Sequence, residues 1–531
     1  MPLPCPSAVP PAPPGSFPTR GYFASEETGD RVCEATAGYR PRRLEDNPLY
    51  GVVSSHLETY LEMQFERERT VPRFVERELR AFLDCGVLGN GFLRVHCDTC
   101  GKDRVVPFSC KGRSVCSSCG GRRMADTAAH LVDRVFPHVP VRQWVLSLPF
   151  ALRHRLAYDS GLVRDVLHIF MQAVFSSLRR RGRKQFGLSG TQCGAVTFVQ
   201  RFGGAINLNV HFHSLVIDGV YYRDDVERIQ FRRLPPPEDS EVACITERIA
   251  RRVLRLLKRR GLVPEAGQEE ADPFSREEPL LAQLYSDSVQ GRVSAGPKEG
   301  RYLAIAGCEP DLSEGKVRKG RGTANVSGFS LHANVCIPAK ARRQLENLCR
   351  YVARPAVATE RLSVLEDGRV SYKLRHRWRN GATHVLFEPL DLVAKLAALV
   401  PPPRFNLVRY QGVLAPGARW RKSVVPSGGD PGSERGCCER KREGIEGGQE
   451  GSRVHGRNYS WAELLKRVFE IDVLECPECG GRMRILCAVN PPDAIRKILD
   501  CLGLPSRPPP FATALAGRQA ISPALQDNYF D

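Results

Sequence analysis

The spacing of apolar residues predicts that strands and helices alternate between residues 140 and 400. RQWVLSLPF (142–150) is typical of a buried strand, and DSGLVRDVLHIFMQAVFSSLRRR (159–181) has the apolar periodicity of an amphipathic helix. Asp159 or Ser160 would cap this helix, and the arginines at its end suit the helix dipole. The stretch 224–327 is more acidic and has no clear period, so we expect an irregular insertion there.

Two further strand-like segments predict a β-hairpin. AVTFVQRF (195–202) and AINLNVHFHSLVID (205–218) are separated by Gly203 and Gly204, which suit a two-residue turn. Side chains alternate along a strand, so one face would carry Asn207, Asn209, His211 and His213, and the other Leu208, Val210 and Phe212. Residues two apart lie about 7 Å apart, which lets both imidazoles bind one cation. The polar face therefore predicts a metal site.

Two histidines leave such a site open to substrate oxygens, which suits Mg²⁺ or Mn²⁺ acting as a Lewis acid on phosphate. The third protein ligand is not fixed by the sequence. Gln200 shares the histidine face, but across a two-residue turn it would lie opposite Asn207, at some distance from His211. His332, His384 and Glu388 are the alternatives.

A candidate nucleophile lies in PAKARRQLENLCRYVARPAVATERL (338–362). Leu345, Leu348 and Val352 form the apolar stripe of a helix that begins at Pro338 and ends before Pro355. An adjoining face carries Arg343, Asn347, Tyr351 and Arg354. A tyrosine among arginines is suited to meeting a phosphodiester.

Two Cys-x-x-Cys pairs with zinc spacing precede these segments. Cys97, Cys100, Cys116 and Cys119 give Cys-x2-Cys-x15-Cys-x2-Cys, which predicts one closed, structural Zn²⁺ site. Cys85 and Cys110 lie close by and could replace one ligand. A third pair, Cys476 and Cys479, predicts a second Zn²⁺, completed by Cys487, by Cys501, or by Cys437 and Cys438.

Composition indicates the kind of partner that the protein binds and the cellular compartment in which it works. The 531 residues include 78 Lys and Arg against 59 Asp and Glu, a net charge of +19 that favours a polyanionic partner. No apolar run reaches the roughly 18 residues of a membrane span, and the proline-rich start does not resemble a secretory signal. We therefore expect a cytoplasmic protein whose cysteines remain thiols or bind metal.

The chain divides by composition into five parts. We expect a disordered proline-rich leader (1–45), a zinc-binding DNA-recognition domain (46–135), a catalytic domain (136–423), a low-complexity linker (424–458) and a small C-terminal CPxCG unit (459–531).

Together, His-Phe-His at 211–213, Tyr351 in LCRYVARPAVATERL and the N-terminal cysteines resemble HUH-type rolling-circle transposases. The sequence is most similar to bacterial insertion sequences of the ninety-one family and to the related common-region elements, over most of residues 75–500. Blocks such as CGAVTFVQRFGGAINLNVHFH and WAELLKRVFEIDVLECPECGG occur in the family's order.

The resemblance implies an α+β fold: an HUH endonuclease-like domain with a central antiparallel sheet flanked by helices, preceded by a helical zinc-binding domain and followed by a zinc-ribbon-like unit. It also implies that His211 and His213 hold a divalent cation. Tyr351 would attack single-stranded DNA at the element's ends, leaving a 5′-phosphotyrosine and a free 3′-hydroxyl. Some relatives carry a second tyrosine four residues on, but position 355 is Pro, so this is a single-tyrosine form. Rejoining would then reuse Tyr351, borrow a tyrosine from another subunit of a homodimer, or use attack by a 3′-hydroxyl.

A bacterial, nucleoid-associated protein of this type needs basic DNA contacts. The candidates are Arg122, Arg123, Arg343, Arg350, Arg354, Arg409, Arg419 and Arg421, of which the last three lie beside Tyr410 and Trp420 in a pattern that suits unpaired bases. A rolling-circle replication initiator or relaxase shares the catalytic residues and is the nearest alternative. A non-catalytic zinc-dependent DNA-binding protein, such as a decayed transposase, is the alternative from another class.

Overall fold

The computed structural model describes residues 44, 46–262, 273–307, 322–378, 380–426, 460–469, 472–510 and 512. All of the predicted leader except Leu44, most of the linker, and Cys437 and Cys438 lie outside these residues. None of the helices within the described ranges combines the length and the apolar character that crossing a bilayer requires.

The described helices and strands alternate along the chain as a mixed α and β protein. The helices are α1 (Pro48–Glu66), α2 (Arg73–Asp84), α3 (Ser117–Arg134), α4 (Phe150–Tyr158), α5 (Ser160–Phe186), α6 (Asp239–Arg259), α7 (Pro273–Glu277), α8 (Pro279–Gln290), α9 (Arg342–Val352), α10 (Pro389–Leu399), α11 (Arg421–Val424), α12 (Trp461–Phe469) and α13 (Pro492–Cys501). The strands are β1 (Phe92–Cys97), β2 (Asp103–Pro107), β3 (Val141–Ser147), β4 (Gly194–Phe202), β5 (Leu208–Ile217), β6 (Gly219–Arg223), β7 (Ile229–Arg233), β8 (Ala304–Ala306), β9 (Thr323–Val326), β10 (Phe329–His332), β11 (Cys336–Ile337), β12 (Leu362–Val364), β13 (Val370–Lys373), β14 (His384–Phe387), β15 (Val408–Gly412) and β16 (Met483–Val489).

Among the described residues, the largest sheet has seven strands in the order β15-β4-β5-β3-β10-β9, with β11 also paired to β3. All of these pairings are antiparallel. Strands β5 and β3 are buried along nearly their whole length, because both faces of the sheet are covered. The predicted central antiparallel sheet flanked by helices is present.

The two faces of β5 pack against different cores. Val210 and Phe212 belong to the larger core, where Phe212 stacks on Phe170 of α5 at a ring-centroid distance of 6.4 Å. Leu215 and Ile217, on the histidine face, pack in a second core with the apolar side of α9 and with α3. The fold therefore places α9 against the strand face that carries His211 and His213.

Helix α5 begins where the sequence predicts. The side chain of Asp159 accepts a hydrogen bond from the backbone N–H of Leu162 at 2.7 Å, which satisfies a free donor in the first turn. The helix runs on to Phe186 and ends at Gly187, whose φ of 66° is a left-handed conformation that glycine adopts without strain. The stretch 224–327 is not irregular in its described part, since it contains β7, α6 and α8, and that prediction is wrong there.

The C-terminal segment is not a unit on its own. Strand β16 pairs with β1 in a three-stranded sheet of order β16-β1-β2, so residues after the linker complete a sheet of the N-terminal region. Helix α12 packs on α3 through Leu464, which contacts Ala125 and Ala129. The segment thus bridges the zinc-binding region and the helices next to the large sheet.

Candidate functional site

The strand-borne histidines face each other directly. The Nε2 atoms of His211 and His213 lie 3.0 Å apart, and the two side chains are buried. The other ring nitrogen of each histidine has its own partner: Nδ1 of His211 lies 2.8 Å from the carbonyl oxygen of Asn209, and Nδ1 of His213 lies 2.9 Å from Nε2 of Gln143 on β3. This leaves both Nε2 atoms directed at one point, as two ligands of one cation would be.

Burial also sets the charge of the pair. Desolvation lowers the pKa of His211 to about 4 and lowers the pKa of His213 well below its ordinary value. Both rings are therefore neutral at physiological pH, which is the form that binds metal ions.

Gln200 lies directly opposite His211, because the register pairs the two residues across β4 and β5. The predicted position opposite Asn207 is wrong. The connection spans residues 203–207 rather than a two-residue turn, and a register shift follows Gln200. The amide nitrogen of Gln200 donates to the carbonyl oxygen of Val352 at 3.4 Å, whereas its buried Oε1 has no hydrogen-bond partner. An orphaned oxygen beside two converging nitrogens fits a third metal ligand.

The alternative third ligands lie elsewhere. His332 shares the sheet face but is separated from His213 by strand β3, since both residues pair with Val145. His384 lies on β14 in a different, four-stranded sheet, where its Nδ1 is 2.9 Å from Oγ1 of Thr383. Glu388 forms an ion pair with Lys298 at 2.8 Å. Of the predicted candidates, only Gln200 is directly opposite a histidine of the pair.

Tyr351 lies beside the histidine pair. Its ring meets that of His213 edge-on, with centroids 6.1 Å apart and planes at 88°. The guanidinium of Arg354 lies 4.4 Å from the Tyr351 ring centroid and that of Arg375 lies 5.3 Å from it. Arg375 comes from the loop after β13, and no local sequence pattern predicts that it lies beside Tyr351.

The tyrosine helix α9 begins at Arg342, later than the predicted start at Pro338, and ends before Pro355 as predicted. Arg342 holds it to the end of α3 by donating to the carbonyl oxygens of Phe136 at 2.9 Å and Pro137 at 3.2 Å. A Cβ on Gly120 would lie 2.8 Å from the Cβ of Pro355, so the glycine allows the segment after α9 to approach α3 closely.

A second contact fixes α9 from the C-terminal segment. Arg467 of α12 donates to a carboxylate oxygen of Glu346 on α9 at 2.7 Å and to one of Asp133 on α3 at 3.1 Å. Only 12% of the Glu346 side chain is exposed. Arg467 therefore ties α12 to both helices next to the histidine face.

We expect Arg467→Ala to lower the free energy of unfolding by about 2 kcal/mol, since it leaves two carboxylates without their shared charged donor. Urea denaturation of the zinc-loaded protein measures the change. Arg496→Ala is the matched control, because its pair with Asp493 is on the surface and should contribute less than about 0.5 kcal/mol. Equal, small losses of unfolding free energy in both variants would contradict a stabilising role for the contacts of Arg467.

The cysteines in the described part of the chain form two clusters, and the predicted grouping of Cys97, Cys100, Cys116 and Cys119 is wrong. In the first cluster, Cys116 and Cys119 at the start of α3 join Cys85 and Cys110. Its sulfur atoms lie 3.7 Å (Cys85 to Cys119), 3.5 Å (Cys110 to Cys119) and 3.6 Å (Cys85 to Cys116) apart. Cys85 and Cys110 thus supply two ligands, not one.

The second cluster combines distant parts of the chain. Cys97, the last residue of β1, and Cys100 meet Cys476 and Cys479, which precede β16. The sulfur separations are 3.5 Å (Cys97 to Cys479) and 3.7 Å (Cys100 to Cys476). A tetrahedral zinc with bonds of about 2.3 Å places its sulfurs about 3.8 Å apart, so both clusters fit structural Zn²⁺. Hydrogen bonds from the backbone N–H groups of Cys100 and Thr99 lower the pKa of Cys97 to about 6, toward the thiolate that zinc needs. Cys487 and Cys501 are not part of either cluster.

The predicted DNA-contact arginines differ in their surroundings. Arg122, Arg343 and Arg419 are exposed. Four others donate hydrogen bonds within the protein: Arg123 to the carbonyls of Lys111 and Gly112, Arg350 to the side chain of Asn347, Arg409 to the carbonyl of Asn406, and Arg421 to the carbonyl of Leu414. Arg354 lies between the rings of Tyr351 and Phe202, 5.4 Å from the latter. It is the predicted arginine nearest the candidate nucleophile.

Comparison with known proteins gives two family matches. Residues 194–423 match a family model described as "Putative transposase". Residues 52–148 match the IS91 family model described as "Transposase zinc-binding domain". No curated protein and no solved structure matches the chain significantly. The first match contains the histidine strand and Tyr351, and the second contains six of the clustered cysteines: Cys85, Cys97, Cys100, Cys110, Cys116 and Cys119.

Proposed function

Because this chain belongs to the insertion sequence ninety-one family of transposases, we propose that it nicks and rejoins single-stranded DNA at the ends of its element. His211 and His213 would hold a divalent metal, and Tyr351 would be the nucleophile. One observation supports this proposal above all. The Nε2 atoms of His211 and His213 lie 3.0 Å apart, and the centroid of the Tyr351 ring lies 6.1 Å from that of His213.

The residues present fit Mg²⁺ or Mn²⁺. Nε2 of each histidine and Oε1 of Gln200 would bind the ion, leaving its other positions for water and phosphate oxygens. When bound, such an ion would polarise the scissile phosphate and offset the charge that develops in the transition state. The backbone oxygen of Asn209 and the amide of Gln143 orient the two rings.

The covalent step follows from the position of Tyr351. Its phenol oxygen would form a bond to phosphorus while the bond from phosphorus to O3′ breaks, giving a 5′-phosphotyrosine. The phenol proton is lost and O3′ takes up a proton, so the other product ends in a 3′-hydroxyl. Arg354 and Arg375 flank the ring and would bind the phosphate.

A single tyrosine limits how strands are rejoined. Position 355, where some relatives carry a second tyrosine, is a proline that lies beyond α9 and faces Gly120. Rejoining would use Tyr351 again, a tyrosine from a second copy in a homodimer, or attack by a 3′-hydroxyl. All of this chemistry would take place on DNA in the bacterial cytoplasm, at the nucleoid.

Two other functions fit part of the site. A replication initiator or relaxase would use the same histidines and tyrosine, but the match to a transposase zinc-binding domain favours the transposase. A non-catalytic DNA-binding protein would not need buried neutral histidines that converge beside a tyrosine.

The test of the proposal is covalent capture of DNA. We expect the full-length, zinc-loaded protein, incubated with single-stranded oligonucleotides from the element's ends and Mg²⁺ or Mn²⁺, to give an adduct that survives SDS. His211→Ala or chelation of the added metal should abolish the adduct. Cleavage without any protein-linked DNA would contradict the phosphotyrosine mechanism.

We expect Gln200→Ala to weaken Mn²⁺ binding by about tenfold, because it removes one of three protein ligands. Electron paramagnetic resonance of free Mn²⁺, titrated against zinc-loaded protein, measures the affinity. His332→Ala is the matched control on the same sheet face, and its affinity should equal that of the wild type. The opposite pattern would assign the third ligand to His332.

A further inference from the structure

The proton positions on the histidine pair are set by their neighbours. Nδ1 of His211 lies 2.8 Å from the carbonyl oxygen of Asn209, which can only accept a hydrogen bond. Nδ1 of His211 therefore carries the proton in the neutral ring, and its Nε2 has a free lone pair.

His213 must then have the opposite tautomer. Its Nε2 lies 3.0 Å from the lone pair on Nε2 of His211, so this short contact is a hydrogen bond only if Nε2 of His213 carries the proton. Nδ1 of His213 is then an acceptor, and Gln143 donates to it through Nε2 at 2.9 Å. Only 6% of Gln143 is exposed, so water does not readily replace this partner.

A metal at the pair requires the lone pair of His213 Nε2, which the proton occupies in this arrangement. The proton must leave Nε2, and the neutral ring must carry it on Nδ1 instead. Nδ1 then needs an acceptor, and the NH₂ group now facing it cannot serve as one. Rotation of the Gln143 amide by half a turn presents Oε1 in its place.

Resting on the proposed metal site, we infer that Gln143 is a positioning residue that changes from hydrogen-bond donor to acceptor at His213 when the metal binds, and thereby sets the metal affinity. Gln143 does not touch the metal in this arrangement. Its effect passes through the tautomer of His213 alone.

Two substitutions of similar size separate this role from packing. Gln143→Glu supplies only an acceptor and fixes the metal-binding tautomer, so Mn²⁺ should bind about tenfold more tightly than to wild type. Gln143→Met supplies no donor and only a thioether sulfur, which is a weak acceptor, so Mn²⁺ should bind roughly 10 to 100 times more weakly. Gln192→Met, at the exposed start of the β4 hairpin, is the matched control and should leave the affinity unchanged.

The measurement is the Mn²⁺ titration of zinc-loaded, full-length protein, with His211→Ala marking binding elsewhere. In ¹⁵N-histidine spectra of the wild type, Mg²⁺ should move the proton of His213 from Nε2 to Nδ1. Equal weakening by Gln143→Glu and Gln143→Met, or wild-type affinity in Gln143→Met, would overturn the inference while leaving the metal site intact. Wild-type binding no stronger than that of His211→Ala would overturn the proposed metal site and this inference with it.

Discussion

Tyr351→Phe should reduce covalent capture of single-stranded DNA by roughly 10⁴-fold or more, because it removes the attacking oxygen and changes little else. The ring would keep its edge-on contact with His213 and its position between Arg354 and Arg375. Binding of the uncleaved oligonucleotide should therefore stay within a few-fold of wild type. Quantifying the SDS-resistant adduct alongside a filter-binding measurement separates the two effects.

Tyr410→Phe is the matched control for this substitution. Tyr410 lies on the edge strand β15, and the guanidinium of Arg421 lies 6.0 Å from the centroid of its ring. In the sheet Tyr410 pairs with Val196 rather than with residues near the histidines. The control should form adduct at the wild-type level. An adduct that persists in Tyr351→Phe and disappears in Tyr410→Phe, or in Tyr221→Phe or Tyr222→Phe, would reassign the nucleophile.

Cys479→Ser should lower the zinc content from two ions to one per chain and detach the C-terminal segment. Each structural zinc contributes on the order of 10 kcal/mol of apparent binding free energy, and the second cluster joins β1 to the segment before β16. Its loss should also free α12, and with it Arg467, from α3 and α9. Native mass spectrometry gives the zinc count, and limited proteolysis shows release of residues beyond the linker.

The grouping of the cysteines gives this experiment its control. Cys97→Ser should lose the same ion as Cys479→Ser, so the double variant should still hold one zinc. Cys116→Ser should lose the other ion, and combining it with Cys479→Ser should leave none. Cys487→Ser, an exposed cysteine outside both clusters, should keep two. A double variant of Cys97 and Cys116 that still holds one ion would support a single site formed by Cys97, Cys100, Cys116 and Cys119.

The sequence predicts the histidine strand well because alternation along a strand is a local property. The face shared by His211 and His213, and the apolar face of Phe212, follow from the two-residue period of a regular strand. The position of Gln200 did not follow, since it depends on the length of the turn and on a register shift within the hairpin. One error of loop length misplaced this candidate third ligand by several residues along the strand.

The cysteine grouping shows a second limit. Cys-x-x-Cys spacing predicts that two sulfurs share an ion, but it does not say which pairs combine, because that depends on which segments fold together. A signal was present in the flanking residues. The strand-like FLRVHC ends at Cys97, the first cysteine of one pair, and the strand-like MRILCAV follows another pair, whereas Cys116 and Cys119 lead into a helix. Contacts such as Gln143 with His213, or Arg467 with Glu346, join residues 70 and 121 positions apart and have no local signature.

If His211, His213 and Tyr351 form one DNA-nicking site, peptide mapping of the adduct should find the DNA on Tyr351. Trypsin should release Tyr351 in the peptide 351–361, since cleavage after Arg354 is blocked by Pro355, and Tyr351 is the one tyrosine in that peptide. We expect a Mg²⁺-dependent 5′-phosphate linkage on this peptide and a free 3′-hydroxyl on the released strand. DNA attached to any other peptide, or cleavage that leaves no protein-linked 5′ end, would contradict it.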